Sequence, residues 1–270
     1  MKKFLKLVLV GCIFMLSGCS TSSSYSDLMI MDGVEIGVEE YGIAFRSGSD
    51  MTDKVNAITE QLFKDGTIAD IAKRYDLTNQ LVSDFKVVEQ QSVNGESDYQ
   101  YIKDKGVITI GITDFKPMDY LDENGEWIGF DADYANKVCD LLGLKSNFVE
   151  INWDTKEVAL QTKQVDCIWN GMTITDAIKN AADVTGAYIK NYQVVIVKDS
   201  SLTSLESLKD KVVVAESGSA GETAAKDNQY LSVGYKPVES QTEALLQVKS
   251  GAADACVIDF VMAKSLVGNK

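Results

Sequence analysis

The chain has 270 residues, 45% of them hydrophobic, with 40 acidic against 26 basic side chains and a net charge of −14. That balance excludes a nucleic-acid-binding surface and contact with an anionic membrane face, since like charges repel. There is no histidine, which removes imidazole metal sites, Ser-His-Asp triads and Cys-His pairs, so any catalysis would rest on carboxylates, Lys, Tyr or Cys.

The opening MKKFLKLVLVGCIFMLSGCS carries Lys2, Lys3 and Lys6, then an apolar run over residues 7–16. That run is too short to span a bilayer and reads as an export signal. Leu16-Ser17-Gly18-Cys19 resembles a bacterial lipobox. The resemblance implies a signal peptide over residues 1–19 and a lipid on the Cys19 thiol. Residues 20–27 then read as a flexible polar tether. Three cysteines remain, Cys139, Cys167 and Cys256. None has a close neighbour in sequence, so they are expected as buried free thiols rather than a disulfide or metal site.

Strands are expected at residues 28–31 and 41–45, separated by Gly37. Ser49 or Asp50 is placed to cap a helix with Met51, Val55, Ile58 and Leu62 on its apolar face, and Gly66 ends it. A second short helix carries Ile68, Ile71, Ala72 and Tyr75. The polar stretch 84–97 reads as a linker. Beyond it, strands are expected at 107–112, 148–151, 165–169, 194–197, 212–215, 233–238 and 255–258. Helices lie between, notably at 131–142 and 156–162. Short apolar strands alternating with helices indicate an α/β fold with mostly parallel sheets.

Several stretches carry a more specific signal: "DENGEWIGFDADYANKVCDLLGL", "INWDTKEVALQTKQVDCIWNGMTIT", "YIKNYQVVIVK", "SLESLKDKVVVAESGSAGE" and "LLQVKSGAADACVIDF". Together these resemble bacterial extracellular solute-binding proteins of family 3, the amino-acid ABC-transporter type, in family order over residues 103–260. The resemblance implies a two-lobed, type II periplasmic-binding-protein-like fold. The family continues past the "VIDF" helix with elements absent here, and the stretch over residues 28–75 resembles that ending. The chain is therefore expected to be circularly permuted. Lobe 1 would span 41–190, with 41–83 as permuted closing elements, 84–97 as linker and 98–190 as its main part. Lobe 2 would span 191–270 plus 28–36. Hinges are expected near residues 188–192 and 37–41. Exposed loops tolerate such new termini.

The resemblance also implies a ligand cleft at the carboxyl ends of strands. Trp153 and Phe115 take its aromatic wall positions. Asn170, Gly171, Met172 and Thr173 form a loop that presents backbone groups and a hydroxyl to an α-carboxylate. Ser219 and Ala220 open a helix whose free N–H groups suit an anion. Asp259 takes the position that binds the ligand's α-ammonium. Glu216, Asp119 and Asp114 are expected to approach the cleft. The sequence departs from the family at Ile178, where an arginine usually forks onto the ligand carboxylate; Lys179 beside it should point elsewhere on a helix.

The implied function is the substrate-binding component of an ABC importer, taking an amino acid or related small amine. It would be lipid-anchored on the extracellular face, monomeric, free of cofactor and metal, and docked to an ABC permease. Two alternatives come from other classes: a lyase or dehydratase on the same fold, using Asp259, Glu216 and Asp119 as acid and base, and a ligand-sensing module.

Overall fold

Tyr41, Ile43, Ala44 and Phe45 are all fully buried, although they follow the exposed residues Gly37 and Val38. They belong to the strand that joins the two halves of the molecule. The structure, a computed structural model, describes residues 25–87 and 97–268. The lipobox with Cys19, the tether up to residue 24 and most of the expected linker lie outside the described residues.

The chain begins with β1 (Met29–Ile30), β2 (Ile36–Arg46), α1 (Met51–Lys64), α2 (Thr67–Arg74), α3 (Asp98–Lys105) and β3 (Val107–Ile112). A small hairpin, β4 (Tyr120–Leu121) and β5 (Trp127–Ile128), precedes α4 (Phe130–Leu142) and β6 (Lys145–Glu150). Next come α5 (Lys156–Gln161), β7 (Cys167–Thr173), α6 (Asp176–Ala181), β8 (Ala182–Val184) and β9 (Ile189–Val197). The last part holds β10 (Val213–Glu216), α7 (Ala220–Asp227), β11 (Tyr235–Val238), α8 (Gln241–Ser250), β12 (Ala255–Asp259) and α9 (Phe260–Leu266).

The main sheet has the order β11-β10-β12-β9-β2-β7-β3-β6. On one side β3, β6 and β7 are parallel, and on the other β10 pairs in parallel with β11 and β12. Between them run two antiparallel strands, β2 and β9, paired from Ile36↔Gln193 to Tyr41↔Ile189. The expected hinge segments therefore lie side by side as neighbouring strands. Gly37 has φ +60 where the β2 register shifts, a left-handed backbone that glycine adopts without strain.

The second half of β2 pairs with β7 and β8, and α1 and α2 pack on α4. Thus residues 36–74 complete the half that holds β3, β6 and β7, although residues 75–106 separate them in sequence. Strand β1 goes the other way: Met29 pairs with Val197, and Met31 lies among Val195, Val213, Ala215 and Val257.

A charged cluster closes the first half. Arg46 bonds Asp98 and Asp166, with Arg46 Nε–Asp98 Oδ2 at 2.9 Å, and Lys105 Nζ reaches Asp166 Oδ2 at 2.7 Å. It links the end of β2 to α3 and β7, which sequence alone keeps apart.

Several expectations change. The strand expected at 165–169 runs to Thr173, because Gly42 and Tyr41 of β2 pair with Met172 and Thr173. The strand expected at 148–151 starts at Lys145, and the one expected at 233–238 starts at Tyr235. Asp50 does sit at the start of α1 but makes no side-chain cap there; its carboxylate accepts from Ser97 Oγ at 2.5 Å and Tyr99 N at 2.8 Å. The tether reading does not extend to residues 25–27. Tyr25 is buried, its carbonyl accepts from Leu28 N, and Asp27 pairs with Lys198 at 3.2 Å. Cys139, Cys167 and Cys256 are free and buried.

Candidate functional site

A cavity of about 190 Å³ lies where the carboxyl ends of β3, β6, β7, β10 and β12 converge. Phe115, Trp153, Asn170, Gly171, Met172, Thr173, Glu216, Ser219, Ala220 and Asp259 all line it. The residues chosen from sequence thus come from both halves of the sheet and meet around one small space. Its size suits one amino acid rather than a peptide.

The aromatic wall is fixed from behind. Phe115 meets Tyr41 edge-on, with centroids 6.4 Å apart at 73°. Gly171 has φ +53, and a Cβ there would fall 2.5 Å from the Phe115 ring. Only glycine brings the β7 backbone this close to the ring. Trp153 follows Asn152, whose side chain accepts from Asp154 N at 3.0 Å and starts a short helical turn.

The side chain of Asn170 is used for scaffolding. Its Oδ1 accepts from Thr113 N at 3.0 Å and Thr113 Oγ1 at 2.8 Å, and its Nδ2 donates to Asp119 Oδ2 at 2.7 Å. Asp119 is fully buried behind the wall rather than lining the cavity. There it meets Asp131, whose Oδ2 accepts from Gly171 N at 2.6 Å and Tyr188 Oη at 2.9 Å. One oxygen of each acid, Asp119 Oδ1 and Asp131 Oδ1, has no partner. Burial pushes Asp131 up to about 7, opposed by those donors, and pushes Asp119 well up with repulsion from Asp131 adding to it. The pair, which binds Asn170 and Gly171 from behind, thus favours holding a proton.

Asp259 stands at the end of β12. It accepts from Tyr41 Oη, Asn191 Nδ2, Gln193 Nε2 and Gln241 Nε2, at 2.5, 2.5, 3.0 and 2.5 Å. Next to it is Glu39 of β2, which sequence reasoning missed. Glu39 accepts from Asn191 and Gln193, and also from Thr173 Oγ1 at 2.7 Å. The Thr173 hydroxyl expected to face a carboxylate ligand donates to Glu39 instead. Burial first, then Asp259, pushes Glu39 up to about 8. Glu216 is pushed up to about 8 by burial, then by Asp259, with Lys156 opposing; its Oε1 has no partner. Asp259 and Glu216 thus line the cavity with acid groups, and Glu39 stands behind Asp259 outside it.

The opposite wall agrees with the departure expected at residue 178. Ile178 is buried on α6 and lines the cavity with hydrocarbon. Lys179 points outward to Asp176 at 2.7 Å. Lys156, missed in the sequence reading, lines the cavity instead, as do Gln241 and Thr113. Asp114 is outside the cavity; across the cleft Thr242 Oγ1 donates to its main-chain O at 3.4 Å and its Oδ2 at 3.5 Å. Ser219 caps α7 by accepting from Glu222 N at 3.1 Å, leaving the next backbone groups beside the cavity. Among the described residues no cluster of acids and cysteines has the arrangement of a metal site.

The two halves touch at Gly218, where φ is +73 and a Cβ would lie 2.7 Å from the Asp154 Cα. Gly218→Ala is therefore expected to hold the cleft ajar and weaken ligand binding about tenfold, with melting temperature little changed. Titration calorimetry checks this, and unchanged affinity would show that closure does not need the contact.

Residues 108–255 match the bacterial extracellular solute-binding proteins, family 3. The arginine-binding extracellular protein ArtP of Bacillus subtilis is 30% identical over 154 residues, 56% of this chain and 60% of that protein. The glutamine-binding protein GlnH of the same organism is 32% identical over 165 residues, 58% of this chain and 60% of that protein. The chain thus spans about six-tenths of the length of these curated relatives. Among solved structures, arginine-bound truncated ArgBP from T. maritima superposes with a TM-score of 0.59 at 32% identity, covering 62% of this chain and 80% of that one. A Streptococcus pneumoniae substrate-binding protein with bound histidine gives 0.59 at 30% identity, covering 62% and 71%.

Proposed function

Because the chain belongs to the bacterial extracellular solute-binding proteins, family 3, we propose that it captures an amino acid or related small amine between two lobes and delivers it to an ABC importer. The observation that carries this reading is the shared cavity: aromatic, anion-binding and ammonium-binding residues from both halves of the sheet line one space of amino-acid size. The relatives named above, which bind arginine, glutamine or histidine, support the ligand class. Binding without turnover is the activity proposed.

A thermal-shift screen against amino acids and their amines tests it. A ligand at about 100 times its dissociation constant stabilises by about 2.7 kcal/mol, or about 5–10 °C in a protein of this size. The bound compound should be recovered unchanged. A screen with no shift, or a ligand consumed, would remove the reading.

The order of elements is read as a circular permutation of the family order, with lobe 1 over 41–190 and lobe 2 over 191–270 plus 28–36. Its support is that residues 36–74 pack on β7 and α4, while the family match begins only at residue 108. A gene that moves residues 28–87 behind residue 268 should give a folded protein with the same ligand. Failure of that chain to fold would count against the reading. The family is extracellular, and among the described residues no helix is long and apolar enough to cross a membrane. A lipid on Cys19 would anchor the chain, and Cys19→Ser would then release it from the membrane fraction; a variant that stays bound would refute the anchor.

A further inference from the structure

Among the described residues that line the cavity, Lys156 is the single cation. It opens α5, and its side chain is only 9% exposed. Its Nζ donates to Trp153 O at 3.1 Å and to Gly218 O at 2.9 Å. The first acceptor is on its own half of the molecule and the second across the cleft. An ammonium has three donors. The nearest carboxylate to the third is Glu157 Oε1 at 3.8 Å, beyond a hydrogen bond. Lys156 makes no ion pair with Glu216, whose Oε1 lacks any partner. Two neutral carbonyls orient this buried cation, and its ion pair among the described residues is the long one to Glu157.

Burial lowers the Lys156 pKa, opposed by Glu157, Glu216 and Asp154. Such a group gains from an anion more than an exposed lysine would. The position where the family resemblance expects a guanidinium holds Ile178, which lines the same cavity and cannot bind a carboxylate. The cation that lines the cavity therefore stands at the start of α5 and not on α6. It also lies 5.0 Å from the centre of the Trp153 ring, so charge and aromatic wall face one ligand.

We propose that Lys156 binds the carboxylate of the ligand and, through Gly218 O, ties that contact to closure of the cleft. This rests on the amino-acid-binding reading given above. It makes the site a reader of both ends of an α-amino acid, with Asp259 at the ammonium end, backed by Glu39, and Lys156 at the carboxylate end.

The test uses the purified full chain and three matched pairs: L-arginine with agmatine, L-lysine with cadaverine, and L-histidine with histamine. In each pair the second compound lacks only the carboxylate. For the pair that binds, the amine should be at least about tenfold weaker than the amino acid on the unaltered protein. Lys156→Met should weaken the amino acid at least about tenfold and the amine less than about threefold, while Lys156→Arg keeps most of the preference. Equal binding of amine and amino acid to the unaltered protein overturns the proposal even if the variant does not fold. So does an equal loss for both compounds in Lys156→Met, which would mark a latch that touches no ligand. If none of these pairs binds, the pair is made from the amino acid selected by the thermal-shift screen, and if that screen selects none the binding reading fails first and the proposal falls with it.

Discussion

Asp259→Asn should weaken binding of an ammonium ligand about tenfold to a hundredfold, because a hydrogen bond to a charged group contributes about 1.5–3 kcal/mol. The fold should survive, and the ligand-free protein should be as stable as before or more so. Asp259 is buried beside Glu39, and its charge adds to the burial that disfavours the ionised form of Glu39. Removing one charge relieves that repulsion, so here a binding residue is held at a cost in stability. Three donors, from Tyr41, Asn191 and Gln193, share Asp259 Oδ1 and would then face the amide oxygen, while the Gln241 Nε2 donor on Oδ2 would face the amide NH2. An amide oxygen still accepts, so three of the four donors keep their acceptor and only Gln241 Nε2 loses its own, where Asp259→Ala would orphan all four. Glu39 remains as a titratable acid behind residue 259 in the single variant, and the double variant with Glu39→Gln should bind an ammonium ligand more weakly still. Calorimetry on the single and double variants decides this: unchanged affinity in both removes the acidic pair from the site.

The cleft was legible where a loop motif carries its own residues. The segments around Asn170–Thr173 and Ser219–Ala220, and the carboxylate at Asp259, follow strands whose apolar runs are plain in sequence. All three reach the cavity. What stayed hidden depends on elements distant in the chain. Glu39 follows another polar pattern, and only the pairing of β2 with β9 brings it against Asn191 and Gln193. Lys156 sits at the first turn of a short helix, where a lysine ordinarily faces water. It turns inward because Gly218, 62 residues later, offers a carbonyl across the cleft. The Thr173 hydroxyl was read as a ligand donor for the same reason: nothing local reveals that Glu39 lies opposite it. Helix and strand types were readable from apolar periodicity. The extension of β7 to Thr173 was not, because it depends on backbone partners supplied by β2.

Ligand binding should release protons, and affinity should rise as pH goes from about 5 to about 8. Glu39 and Glu216 are each pushed up to about 8 by burial, with Asp259 adding to both. At pH 6.5 the free cleft therefore holds protons on groups that are ordinarily ionised, since an unperturbed Glu titrates near about 4.3. An ammonium placed beside them favours their anionic forms, so protons leave as the ligand enters. The same groups set the sign for stability. A carboxyl whose folded pKa lies above its unfolded value keeps its proton in the folded chain after the unfolded chain has lost its own. Unfolding then releases protons, and stability falls as pH rises through the interval from about 4 to about 8. Asp131, pushed up to about 7, adds to that fall from behind the wall without touching the cavity. Asp119→Asn should flatten the stability profile, because it removes a carboxyl that burial and Asp131 hold well above its ordinary value, while proton release on binding persists. Calorimetry at pH 6.5 in two buffers of different ionisation enthalpy measures the release directly. Binding enthalpies that agree in both buffers would show that the acids at the cleft are already ionised before the ligand arrives.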